Sequence, residues 1–103
     1  MSTGNPIKVL DVASIINGGC TNIDGLTLLV EMEKQFNLGY RVQLSLNNCP
    51  ALTSSFLNSS IGEIFEKKGV AFLKENVSLI NYKPSQARYI KDYIDTLIQF
   101  NTV

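Results

Sequence analysis
The 103 residues include nine basic and nine acidic side chains, with 45% hydrophobic and 17% charged residues, a composition that supports one folded core. Because the charges cancel, no strong field gathers a phosphate backbone or an anionic membrane, and nucleic acid is not expected as a partner. Histidine is absent, which removes the commonest general base, the commonest zinc ligand and the usual near-neutral pH sensor.

Met1 to Pro6 show neither a basic cluster nor an apolar run, so no secretory leader is expected. Residues 1–5 read as a flexible N-terminus to a single domain over 1–103. No stretch approaches the roughly 20 apolar residues of a membrane span. A cytoplasmic protein is therefore the expectation.

Ile7 to Val12 is apolar and β-branched and predicts a short strand. Asn17-Gly18-Gly19 marks a loop. Leu26, Leu29, Val30, Met32 or Glu33, and Phe36 recur near the helical period and predict a helix from about Asn22 to Phe36. Asn22 or Asp24 could cap it, and Asn37-Leu38-Gly39 closes it. Tyr40 to Leu46 alternates apolar and polar residues as a strand does, and Asn47, Asn48 and Pro50 turn the chain.

The next helix runs to about Lys67, with Leu57, Ile61, Ile64 and Phe65 on one face and Gly69 beyond its end. Val70 to Leu73 fits helix or strand. Val77 to Asn81 predicts a third strand, and Pro84 opens a last helix with Ile90, Tyr93, Ile94, Leu97 and Ile98 on its apolar face. Strands alternating with helices predict an α/β fold: three or four strands in a largely parallel or mixed sheet, packed with about three helices.

Thr53-Ser54-Ser55 stands where the second strand gives way to a helix. Hydroxyls at a helix N-terminus lie in a field that favours negative charge. A phosphate there adds about −1.5 to −2 charges. The competing reading is a helix cap, worth about 1 kcal/mol and needing no regulatory role.

Cys20 falls between the first strand and first helix, where a helix N-terminus can depress a thiol pKa; a buried, inert thiol is the competing reading. Cys49 reads as a small apolar filler. The two cysteines have no CxxC spacing, and a single bridge between them stays open. Gly18, Gly19 and Gly25 form neither GxGxxG nor GxxxxGK, so no phosphate cradle is indicated. Glu31, Glu33, Asp92 and Asp95 read as solvated helix faces, and no carboxylate pair stands out as acid and base. Tyr82, Tyr89 and Tyr93 are assigned to packing of the last helix.

Leu44 to Leu57, which contains Leu44-Ser45-Leu46 and Thr53-Ser54-Ser55-Phe56-Leu57, resembles the signature of STAS domains, the fold of bacterial anti-sigma-factor antagonists. The resemblance is closer to a smaller STAS-like group of bacterial proteins of unknown function. That group's pattern is met by Asp24-Gly25, by Thr53 to Leu57 and by Val77-Ser78-Leu79-Ile80-Asn81, over roughly residues 20 to 100. Two positions depart from the antagonists: Thr53 replaces an acidic residue, and Phe56 replaces a glycine.

The resemblance implies a non-catalytic signalling module that works by partner switching. Ser54 would be the phosphoacceptor with Ser55 beside it, and Thr53, Phe56 and Asn58 would shape the docking surface. It also implies a GHKL-type ATPase as kinase partner, with ATP the cofactor of that partner; no metal or cofactor is expected in this chain. Two other functions stay open on the residues: a small-ligand or nucleotide sensor using the strand-end loops, and a cysteine-dependent phosphocarrier built on Cys20.

Overall fold
The computed structural model describes residues 5–16 and 21–101. Met1 to Gly4, Thr102 and Val103 lie outside the described residues, as do Asn17-Gly18-Gly19, expected as a loop, and Cys20. Three strands, β1 (Ile7–Asp11), β2 (Arg41–Ser45) and β3 (Val77–Ile80), form a parallel sheet in the order β1-β2-β3. Five helices accompany them: α1 (Val12–Ile15), α2 (Asn22–Asn37), α3 (Ser54–Ser59), α4 (Ile61–Asn76) and α5 (Pro84–Asn101). The α/β class is as expected; among the described residues the sheet has three strands, all parallel, and more helices than the three foreseen.

Register explains which side of the sheet the core occupies. Leu10 lies opposite Leu44, and Leu44 opposite Leu79, so these residues share one face with Val42 and Val77. Leu10, Val42 and Leu44 are buried there, with Val77 and Leu79 packed against them. Consecutive parallel strands with right-handed crossovers put their connecting helices on a single face. On the other face of β1, Ile7 and Val9 are exposed.

The helix between β1 and β2 forms where expected, and its buried face is partly the expected one: Leu29 and Met32 are buried and Phe36 packs half-buried against the core. Asp24, Gly25, Leu28, Leu29, Met32 and Gln35 point inward, while Leu26 and Val30 are 47% and 61% exposed. The cap is Thr21, not Asn22 or Asp24. Its hydroxyl accepts from the Asp24 N–H at 3.2 Å, and the Asp24 carboxylate accepts from the Thr21 N–H at 3.3 Å, a reciprocal capping box. Asp24 thus works at the third helical position.

The single helix foreseen up to Lys67 is two. Ser60, fully buried, leaves helical geometry at φ −119, ψ −86, and its hydroxyl donates to the Phe56 carbonyl at 2.8 Å. A serine bonding back onto the preceding turn bends a helix. Gly69, at φ +88, interrupts α4 where an ending was expected, and helix then resumes through the ambiguous residues 70–73 to Asn76. In α5, Ile90 is buried and Tyr93, Ile94, Leu97 and Ile98 are half-buried, the face the spacing predicts. Tyr82 and Tyr89 are exposed rather than packed.

Candidate functional site
The segment between β2 and α3 carries the chemistry singled out in the sequence. β2 runs out through buried Leu46 into a turn at Asn47 and Asn48, with Asn48 at φ +60. Cys49 and Leu52 pack half-buried against the core, which holds the segment down before α3 begins. Thr53 is the N-cap of α3: the Phe56 N–H donates to its hydroxyl at 3.1 Å. The cap is therefore supplied by Thr53, which settles the choice among the three hydroxyl residues.

Ser54 and Ser55 occupy the first two helical positions of α3 and are exposed. Among the described residues neither hydroxyl makes a hydrogen bond. Phe56 and Leu57, the next two residues, are 2% and 0% exposed and anchor the helix to the core. That corrects one expectation: Phe56 cannot shape a docking surface, because its ring lies inside the core. Asn58 is exposed, and its side-chain oxygen accepts from the Tyr93 hydroxyl at 2.6 Å, tying α3 to α5.

Tyr93 packs half-buried against the core, as expected, and this hydrogen bond adds a polar tie between helices. Burial pushes its phenol up from the ordinary value, and the carboxylates of Glu66 and Glu63 push the same way. The signal in the sequence was the placement of a tyrosine on the apolar face of α5; its partner 35 positions earlier had no local signature. Glu31, Glu33 and Asp95 make surface ion pairs with Lys34, Lys67 and Lys91, in keeping with solvated faces.

The other motif residues have structural duties. A Cβ on Gly25 would stand 2.5 Å from the Phe56 carbonyl oxygen and 2.7 Å from the Ser59 Cβ, so only glycine lets α2 and α3 approach this closely. Asn81, at φ +54, donates its amide to the Ser45 hydroxyl at 3.0 Å across the end of the sheet. Asp24 caps, Gly25 gives clearance, Thr53 caps, Phe56 and Leu57 fill the core, and Asn81 ties two strands. Within Thr53 to Leu57, Ser54 and Ser55 are the residues without such a duty.

These features define a small α/β domain whose distinctive surface is the strand–helix junction after β2. A family model described as a STAS-like domain of unknown function (DUF4325) matches residues 24–87. The chain belongs to that family. The match takes in all three motifs, from Asp24-Gly25 through Val77 to Asn81, and ends in the first turn of α5. No curated protein and no solved structure matches the chain. Among the described residues, no helix is long and apolar enough to cross a membrane, and no cluster of three metal-ligating side chains occurs.

Proposed function
We propose that this STAS-like domain is a non-catalytic interaction module in bacterial signalling, switched between protein partners by phosphorylation of Ser54, with Ser55 as the neighbouring acceptor. One observation carries the reading: both serines are exposed and unbonded at the start of α3, while Thr53 does the capping. A kinase could reach either hydroxyl without opening the core.

A phosphate at Ser54 adds about −1.5 to −2 charges at a helix N-terminus, where the backbone field favours it. The helix would tolerate the modification, so the switch acts on what the surface can dock rather than by unfolding. Thr53 and Asn58 flank the serines on that exposed surface. The kinase is proposed to be a GHKL-type ATPase that supplies its own ATP, and the site of action is proposed to be the cytoplasm.

The test is phosphosite mapping of the protein purified from its own cells in growth, stationary phase and stress. Phosphate on Ser54 in one of these conditions is the expected result. Unmodified Ser54 and Ser55 in all three would overturn the proposal.

A further inference from the structure
A half-open cavity of about 350 Å³ lies between β3, α5 and both ends of α4, where Ile61 and Leu73 line it. Its wall is apolar. Leu73, Val77 and Leu79 form one side, and Ala87, Ile90 and Ile94 of α5 form the other. Ala87 leaves the room: the next inward positions of α5 carry isoleucine, and a branched side chain at 87 would occupy the trough.

Three charged residues stand at the rim, Lys74, Lys91 and Asp95. Lys91 and Asp95 pair with each other at 2.8 Å, so their charges cancel locally. Lys74 makes no ion pair or hydrogen bond among the described residues. The cavity thus joins an apolar trough to one uncompensated positive charge.

We infer that this cavity is a binding site for a small amphiphile with an anionic head, a linear alkyl carboxylate whose chain lies along β3 and whose head meets Lys74. An apolar cavity of about 150 Å³ takes up benzene. A trough roughly twice that size fits a chain of about eight to ten carbons, within the usual range for ligand pockets. The wall from Ile90 onward comes from the part of α5 beyond the family match, so the site draws on this chain's own C-terminal helix. It stands independently of the serine switch.

The experiment is amide NMR titration of the full chain with octanoate and, separately, with 1-octanol. The wild type is compared with Ala87→Leu, which fills the trough with a good helix former, and with Lys74→Gln on the exposed rim. Saturable octanoate binding is expected, with shifts centred on residues 73–79 and 87–95. Ala87→Leu should abolish it. Lys74→Gln should weaken octanoate roughly three- to five-fold and leave octanol unchanged. Shifts that never saturate, undiminished binding to Ala87→Leu, or an octanoate affinity indifferent to Lys74→Gln would each overturn the assignment.

Discussion

Replacing Gly25 with alanine tests how the fold delivers the serine-bearing helix. Alanine should favour α2 by about 1 kcal/mol on intrinsic propensity alone. Against that, the new methyl would lie 2.5 Å from the Phe56 carbonyl oxygen and 2.7 Å from the Ser59 Cβ. The first obstacle is backbone, so the side chain cannot turn away and α2 and α3 must separate. Overpacking of this kind typically costs 1–3 kcal/mol, and backbone obstruction puts this case at or above the upper end. Separation would also loosen Phe56 and Leu57, both buried beneath α3.

The net expectation is a loss of about 2 kcal/mol, a fall in Tm of roughly 8–15 °C for a domain of this size. Thermal and urea unfolding followed by circular dichroism would measure it. Gly69→Ala is the comparison: nothing stands within 4 Å of its new Cβ, and only the φ of +88 opposes it. Its φ of +88 and ψ of 166 lie in a region confined essentially to glycine, so it should cost about 1–3 kcal/mol through backbone strain alone. Gly25→Ala as stable as wild type would refute the close-approach argument.

Thr53→Ala removes the cap of α3 and should cost about 1 kcal/mol in urea unfolding, while Ser54→Ala should stay within about 0.5 kcal/mol of wild type. Equal losses would mean that Ser54 shares the capping work. Phe56→Ala should cost about 3–5 kcal/mol, because it empties a core position rather than altering a surface; a stable variant with altered partner binding would contradict the buried placement. Tyr93 predicts an alkaline effect. A phenol whose pKa is raised on folding stabilises the fold fully below about pH 10, and that contribution is lost as pH rises through the raised value. Wild type should therefore lose stability above pH 10 more steeply than Tyr93→Phe, as read from urea midpoints across that range.

Much of the fold was legible because its signals are local. Alternation over Arg41 to Leu46 and the apolar run at Val77 located two strands, and Pro84 marked the start of α5. The inward face of α2 was only partly legible. Leu26 and Val30 are as apolar as Leu28 and Leu29, and the decision falls to Gly25, whose clearance against α3 is a tertiary fact. The break between α3 and α4 was hidden for the same reason, since a serine reads as neutral until its hydroxyl meets the Phe56 carbonyl.

At the site, the short motif located the serines but grouped Phe56 with them. Adjacency in sequence hid that successive helical positions point different ways: Ser54 and Ser55 to solvent, Phe56 and Leu57 to the core. The motif thus mixes residues that build the junction with residues that the junction displays. Thr53 belongs to the first kind and the serine pair to the second.

The central claim is that Ser54 decides which protein docks at the start of α3. The most direct measurement is a pull-down from the native cells with tagged wild type, Ser54→Ala and Ser54→Asp, read by quantitative mass spectrometry. The account predicts a partner retained by wild type and Ser54→Ala and lost by Ser54→Asp, or one gained by Ser54→Asp alone, with a GHKL-type ATPase among the proteins that distinguish the forms. Identical partners for all three, at equal recovery of folded bait, would contradict it.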